Sequence, residues 1–252
     1  MTDGQFPGND SEVWFQHASD IWAAFPDLVP GLGVVAGITA EANVDAQVER
    51  FTTRAAERLI GRSESELNEI QAWRRAFSRM GLKPTQYRCA SEALLRRFKK
   101  DGTLPRIHPL IDLCNAVSLA YATPIAVFDL AQVTGHLEVR YADGTEQYLT
   151  FAGAIEHPSA AEVIFADTAG EAHARRWTNR QSGRSAVNAA TTTALVISEA
   201  LHPTAAADQH RLLDELFIAI SDHWHPVAGP AVLTAARPRF EFDSVDACGR
   251  VG

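Results

Sequence analysis

Apolar residues recur every three to four positions through much of the first half of the chain, a spacing that predicts amphipathic helices. In the second predicted helix, Val48, Phe51 and Ala55 fall on one face. Ser63 and Glu66 have the spacing of a capping box, which predicts the start of the third. The predicted helices cover residues 11–24, 44–60, 63–80, 91–100 and 108–122.

From about residue 123 the apolar pattern changes to a period of two, which predicts strands. Asp143-Gly144 separates two alternating runs and predicts a β-hairpin over 136–151. Asp208 is expected to cap one further helix that runs to about His223. The other predicted strands cover residues 32–39, 124–128, 162–166, 172–179 and 194–198, with a last one within 229–242.

Together these elements predict one α+β domain over residues 12–242, in which a helical N-terminal half packs on a largely antiparallel, barrel-like β core. Residues 1–11 are expected to be disordered because they lack a periodic apolar pattern. Residues 243–252 are expected to form a flexible tail. No repeat and no Pro-, Gly- or Ser-rich linker divides the chain.

The charge of the chain is unevenly distributed. The formal net charge is −8, yet residues 71–106 contain ten Lys and Arg against two Asp and Glu. The rest of the chain has thirteen basic against twenty-nine acidic residues. This asymmetry favours a basic patch on an acidic body, which is a feature of nucleic-acid binding. The alternative is the solvated face of an amphipathic helix.

Composition is that of a globular protein, with 46% hydrophobic and 21% charged residues. The apolar runs are shorter than the roughly 20 residues that span a bilayer, so no membrane association is expected. The three cysteines form no CxxC motif, and the polar, acidic start has no signal-peptide pattern. We therefore expect a cytoplasmic protein. No P-loop or GxGxxG motif is present, and no cofactor is predicted.

The most informative segment is Leu104–Asp129, in which two prolines precede an apolar run. That run contains Asp112 and Asn115, and a buried polar group without a partner costs about 1–3 kcal/mol. These residues are therefore present for structure or for a site. Asp112 is expected to accept hydrogen bonds from turn amides near Arg106.

Six landmarks resemble, in order, the editing domain of the phenylalanyl-tRNA synthetase β subunit and, more closely, its free-standing B3/B4-type relatives. The resemblance is strongest over residues 70–200. The landmarks are YRCASEALLRR at Tyr87–Arg97, Gly102, LPRIHPLIDLCNAVSL at Leu104–Leu119, TPIAVFDL at Thr123–Leu130, VIFAD at Val163–Asp167 and ARRWTNRQS at Ala174–Ser182.

The resemblance implies the fold of that editing domain and a hydrolytic activity on a mischarged aminoacyl-tRNA, acting in trans. A positioned water would cleave the ester in a pocket that holds the aminoacyl-adenosine end. It implies tRNA as the partner. It assigns Asn115 and Ser118 to catalysis and Trp177, Asn179 and Arg180 to substrate binding. The tRNA backbone would meet Arg88, Arg96, Arg97, Lys99, Lys100 and Arg106.

The chain departs from the family pattern at two positions that read tyrosine in the synthetase. Ala126 stands where the synthetase has a histidine, and Gly183 stands where it has a glutamate. Selection of a hydroxyl needs a buried hydrogen-bonding partner. Tyrosine is therefore not assigned as the substrate.

Alternative interpretations remain open. Asn115 could cap helix groups, Trp177 could belong to the core, and Arg180 could pair with an acid such as Asp167. The chain as a whole could be a non-catalytic module that binds tRNA or a free amino acid. A third interpretation, a small-molecule hydrolase or metal protein, would use His223 and His225, although no metal is predicted.

Overall fold

The computed structural model describes residues 12–243. The predicted disordered segment 1–11 lies outside these residues, and so does all of the predicted tail except Asp243. The helices are α1 (Ser19–Ala24), α2 (Asp45–Arg58), α3 (Asn68–Arg79), α4 (Ala90–Asp101), α5 (Pro109–Tyr121) and α6 (Ala205–Ser221).

The strands form two larger sheets and one two-stranded ribbon. They are β1 (Glu12–His17), β2 (Val29–Ala36), β3 (Ile125–Asp129), β4 (Leu137–Tyr141), β5 (Tyr148–Leu149), β6 (Ile155–Glu156), β7 (Val163–Asp167), β8 (Ala172–Arg175), β9 (Arg180–Gln181), β10 (Thr193–Ala200), β11 (His225–Val232) and β12 (Arg239–Asp243).

The four-stranded sheet, in the order β11-β2-β10-β3, is antiparallel throughout and lies at the centre of the molecule. Alternate residues of β10 face opposite layers, because strand side chains alternate between faces. Val196 packs with the apolar faces of α2, α5 and α6. Leu195 and Ile197 pack instead against the six-stranded sheet. The α+β class is therefore confirmed, but barrel-like closure is not.

The six-stranded sheet has the order β12-β1-β4-β7-β8-β9. Its second strand corrects the helix predicted over 11–24, because only Ser19–Ala24 is helical. Phe15 and His17 are buried, whereas Gln16 between them is half-buried. β1 pairs antiparallel with β12 and parallel with β4. β1 and β2 thus place strands from the predicted helical half in both sheets.

The hairpin predicted around Asp143-Gly144 is wrong. β4 pairs with β1 and β7, while β5 pairs with β6. Glu146 explains the turn, because its carboxylate accepts the backbone N–H groups of Asp143 and Gly144 at 3.1 Å each and also pairs with Arg140. The turn is closed by a side chain, so it does not require the two flanking runs to pair with each other.

Three helix and strand boundaries also differ from the predictions. The capping box of Ser63 and Glu66 is present, but it closes a single 3-10 turn before α3 begins at Asn68. Asp208 lies inside the first turn of α6, whose N-cap is Thr204. The last predicted strand is two strands, β11 and β12, which belong to different sheets. The helices predicted over 44–60, 91–100 and 108–122 are confirmed as α2, α4 and α5.

Candidate functional site

A small pocket opens where β3 and β10 meet the turn between β8 and β9, and we call it the Glu199 pocket. Its volume is about 70 Å³. It is lined by Ala90, Pro124, Ile125, Ala126, Phe165, Ala174, Trp177, Thr178, Asn179, Arg180, Gln181, Ile197 and Glu199. All three residues predicted to bind substrate, Trp177, Asn179 and Arg180, therefore line the same pocket.

A buried carboxylate forms part of the pocket wall. Glu199 is 2% exposed and lies near the end of β10. Its Oε1 accepts a hydrogen bond from Trp177 Nε1 at 2.8 Å and lies 2.6 Å from His17 Nε2. A carboxylate oxygen can only accept, so Nε2 of His17 carries the hydrogen. Two donors on one oxygen fix the orientation of the carboxylate.

Trp177 is held rigidly by its backbone and by two aromatic rings. It has a left-handed backbone with φ of 57°, next to Arg176 with φ of 48°. The indole is fully buried, and its ring centre lies 4.8 Å from that of Phe25 and 5.0 Å from that of Trp73, both edge-to-face. Trp177 is therefore both a core residue and a wall of the pocket.

The turn after Trp177 places three polar residues at the pocket. Asn179 Nδ2 donates to the carbonyl of Arg88 at 2.7 Å, which leaves its side-chain oxygen available. Thr178 Oγ1 is buried and has no hydrogen-bond partner among residues 12–243. Arg180 is exposed over the ring of Tyr148 and lies 3.4 Å from Glu156, not beside Asp167.

The two departures from the family pattern lie in different places. Ala126 lines the pocket on β3, opposite Ile197 of β10. Gly183 is not among the lining residues, and its N–H donates to the carbonyl of Leu149 at 2.9 Å. A Cβ at Gly183 would lie 3.2 Å from the carbonyl oxygen of Thr150. Glu199 is therefore the carboxylate that lines the pocket.

A second, larger opening lies between α2, α4 and α5, and we call it the Asn115 cleft. Its volume is about 400 Å³, and Arg106, Asp112 and Asn115 line it with residues of α2. Asp112 Oδ1 accepts the backbone N–H of Ile107 at 2.9 Å, which confirms its predicted role in the turn. The structure therefore separates Asn115 from the predicted substrate-binding residues.

Ser118, the other predicted catalytic residue, lies in neither opening. It is 1% exposed, and its hydroxyl donates to the carbonyl of Thr123 at 2.7 Å. This hydrogen bond satisfies a carbonyl just beyond the end of α5, where Ala122 takes the left-handed conformation that ends the helix. The contact that Ser118 makes is therefore a structural one, at the end of α5.

Several arginines of the positively charged segment are paired with buried acidic side chains. Arg74 lies 2.6 Å and Arg88 3.4 Å from the carboxylate of Glu92, which is fully buried. Arg96 donates to the buried Glu64 at 2.9 Å. These acids lower the positive charge that the segment presents to solvent.

The basic residues near the C-terminal end of α4 are more exposed. Arg97 lies 3.7 Å from Asp101, a distance that gives only a weak ion pair. Lys99 donates to the carbonyl of Arg62 at 3.1 Å, and Lys100 is exposed. Arg106 pairs with Asp45 and lies 3.6 Å from Asp112. A basic surface therefore remains, but it is smaller than the charge count predicts.

Asp167, His173 and Ser185 form a buried polar cluster. His173 Nδ1 lies 2.8 Å from Ser185 Oγ, and its Nε2 lies 3.3 Å from Asp167. Burial by itself would raise the pKa of Asp167. The nearby His173 ring and hydrogen bonds from the backbone N–H groups of Thr134 and Glu171 outweigh burial and lower that pKa to about 2. Ser185 is fully buried, so its hydroxyl is not an accessible nucleophile.

The cysteines of the described region are unsuited to nucleophilic chemistry. Cys89 and Cys114 are free and buried. Burial raises the pKa of Cys89 to about 11 and that of Cys114 to about 12, so the thiolates are scarce at neutral pH.

Two further features bear on the alternative interpretations. Among residues 12–243, no group of three or more His, Cys, Asp or Glu side chains could hold a metal ion. His223 Nε2 instead lies 3.0 Å from the side-chain amide of Gln47. None of the helices within the same residues has the length and apolar character needed to cross a membrane.

Comparison with known proteins shows similarity to a protein family and to solved structures. The profile of the B3/4 domain matches residues 72–216. A crystal structure of an N-terminal fragment of the phenylalanyl-tRNA synthetase beta-subunit from Pyrococcus horikoshii is similar, with 10% identity and a TM-score of 0.47. The alignment covers 96% of this chain and 56% of that one, so this chain spans about half of the fragment. No curated protein matches the chain.

Proposed function

The chain belongs to the B3/4 domain family, and from this premise we propose that it binds the aminoacyl end of a tRNA and hydrolyses a mischarged aminoacyl ester. The observation that carries the proposal is the Glu199 pocket. The ARRWTNRQS motif contains Trp177, Asn179 and Arg180, and all three line this pocket. The pocket is the place where an aminoacyl group would bind.

Hydrolysis needs few catalytic groups from the protein, because an aminoacyl ester is already activated towards attack by water. A water attacks the ester carbonyl carbon, the bond to the ribose oxygen breaks, and that oxygen takes a proton to become the terminal hydroxyl. The free side-chain oxygen of Asn179 is suited to orient this water. Positioning of this kind contributes several kcal/mol of barrier reduction.

The position of α4 supports a tRNA partner. Ala90, the first residue of α4, lines the pocket, and the helix extends to Asp101. Twelve residues of helix cover about 18 Å at roughly 1.5 Å per residue. A strand that enters the pocket could run along this helix, where Arg97, Lys99 and Lys100 would contact phosphates.

Asn115 and Ser118 have no direct part in this proposal, because they lie outside the pocket. Loss of hydrolysis on Asn115→Ala, in a folded protein, would move the site to the Asn115 cleft. Loss on Asn179→Ala, with Asn115→Ala unaffected, is the expected result.

The proposal is tested by incubating the purified protein at low salt with correctly and wrongly charged tRNAs. Selective release of one wrongly attached amino acid is expected. Release from no tRNA in the panel, with binding retained, would reject the hydrolase.

A non-catalytic binding module is the second candidate, and Ala126 and Gly183 favour it. Neither residue has a functional side chain where the synthetase has its two discriminating groups. This candidate predicts tRNA binding that weakens steeply with salt and is followed by no ester cleavage. Binding that does not respond to salt would argue against both candidates.

A further inference from the structure

We infer that the Glu199 pocket selects an aminoacyl group with a small side chain that carries a hydrogen-bond donor, and that Glu199 is the specificity-determining acceptor. The inference rests on the proposed function and names its substrate class. A serine side chain has the required size and chemistry.

The size of the pocket limits the side chain. The volume of about 70 Å³ is about half of the roughly 150 Å³ of a protein cavity that binds benzene. A hydroxymethyl group fits this space, but a phenyl or phenol ring does not. Trp177 cannot move aside easily, because Phe25 and Trp73 pack against its indole at 4.8 and 5.0 Å.

The chemistry of Glu199 limits the side chain further. Both protein donors, Trp177 Nε1 and His17 Nε2, lie against Oε1. Within residues 12–243, neither of these two contacts involves Oε2, the second carboxylate oxygen. Glu199 also lines the pocket. A ligand that offers a donor to Oε2 would satisfy this oxygen. A ligand of the same size without a donor would leave a carboxylate oxygen desolvated and unpaired, which is penalised.

The surroundings keep the carboxylate in this orientation. Glu199 follows Ser198 on β10, whose register with β2 places Glu199 opposite Pro30. Its backbone N–H donates to the carbonyl of Pro124 at 3.3 Å. The acceptor is therefore preorganised before a ligand binds, and preorganised hydrogen-bonding sites discriminate strongly against analogues that lack the partner group.

The experiment compares one tRNA charged with alanine, serine, 2,3-diaminopropionate or tyrosine. The wild-type protein is expected to hydrolyse the seryl and diaminopropionyl esters at least tenfold faster than the alanyl ester, and the tyrosyl ester most slowly. Fastest hydrolysis of the tyrosyl ester, or equal rates for serine and alanine, would overturn the inference.

Glu199→Gln separates specificity from a structural role. Glutamine keeps an acceptor for Trp177 and His17 but can present an amide NH₂ to the pocket. The ratio of the diaminopropionyl rate to the alanyl rate should fall at least tenfold, because the diaminopropionyl side chain is only a donor. An equal loss on all four esters would reduce Glu199 to a structural residue. Glu241→Gln, exposed on β12 at the opposite edge of the six-stranded sheet, is the matched control.

A binding measurement distinguishes failure of the inference from failure of the proposed hydrolysis. The probes are 3′-aminoacylamino-3′-deoxyadenosines, which carry a stable amide in place of the ester. Tighter binding of the seryl than of the alanyl probe, without turnover of any tRNA, would keep the specificity and reject the hydrolase. Equal binding of both probes would overturn the specificity whatever the hydrolysis result.

Discussion

The indole N–H of Trp177 donates a 2.8 Å hydrogen bond to Oε1 of Glu199, and both side chains are buried. This contact joins the turn after β8, which belongs to the ARRWTNRQS motif, to the central sheet. It also connects the stability of the core to the shape of the pocket, because the same two residues line the Glu199 pocket.

Trp177→Phe should destabilise the fold more than Trp73→Phe. Both tryptophans are fully buried, so each substitution leaves a cavity of similar size. Trp73 Nε1, unlike Trp177 Nε1, has no hydrogen-bond partner among residues 12–243. The difference between the two free energies of unfolding, measured with urea, should be about 1–3 kcal/mol. Equal losses would mean that the Trp177–Glu199 bond contributes nothing.

Lys99→Ala with Lys100→Ala should weaken tRNA binding and reduce its salt dependence. Both lysines are exposed on α4, and Lys99 donates to the backbone carbonyl of Arg62. Loss of two phosphate contacts should lower the slope of log affinity against log salt by about 2. Fluorescence anisotropy across a salt series measures both quantities.

Arg211→Ala is the control for the lysine pair, since Arg211 is exposed on α6, which packs on the other side of the central sheet. A slope that falls equally in this variant would show that the effect is one of net charge.

Asp167→Asn should remove a pH-dependent contribution to stability. The folded pKa of Asp167 is about 2, against an ordinary value of 3.8. The carboxylate therefore stabilises the fold above about pH 4, by about 2 kcal/mol, and this contribution disappears as the pH falls from 4 to 2.

Urea unfolding of Asp167→Asn and of the wild-type protein, compared at several pH values, tests this sign. The difference between them should be largest at neutral pH and shrink towards pH 2. A difference that is constant with pH would contradict it.

Gly33→Ala should destabilise the central layer. A Cβ at Gly33 would lie 2.4 Å from Phe217 Cζ of α6, which is closer than any real contact. The expected cost is about 1–3 kcal/mol, from overpacking. Thermal unfolding measures it, and Phe217→Leu in the same chain should recover part of the loss. No recovery would place the strain elsewhere.

Local pattern was sufficient for several elements and insufficient for others. The periodicity of 44–60 and 108–122 correctly predicted α2 and α5. The apolar face of α2 packs on α5, and α5 is apolar and buried on nearly all sides. β1 was missed because six residues with mixed polarity are stabilised by β12 and β4, both distant in sequence. The hairpin predicted around Asp143-Gly144 was wrong for the same reason, because pairing with strands distant in sequence outweighed the local turn pattern.

The candidate site was predicted in part. The ARRWTNRQS motif led to Trp177, Asn179 and Arg180, which line one pocket. Glu199 and His17 were missed. Glu199 follows the apolar run ALVIS, and the argument that selected Asp112, a polar residue in an apolar run, could have selected it as well. The His17–Glu199 contact joins residues 182 positions apart, which no local pattern shows.

The most direct test of the central claim is to fill the Glu199 pocket and measure hydrolysis. Ala126→Val adds two methyl groups to a lining residue of β3, and valine suits a strand. Ala231→Val, on β11 at the other edge of the same sheet, is the matched control. Ala126→Val is expected to lose deacylation at least tenfold and to keep tRNA binding, while Ala231→Val keeps both. Wild-type deacylation by a folded Ala126→Val protein would show that the aminoacyl group does not bind in the Glu199 pocket.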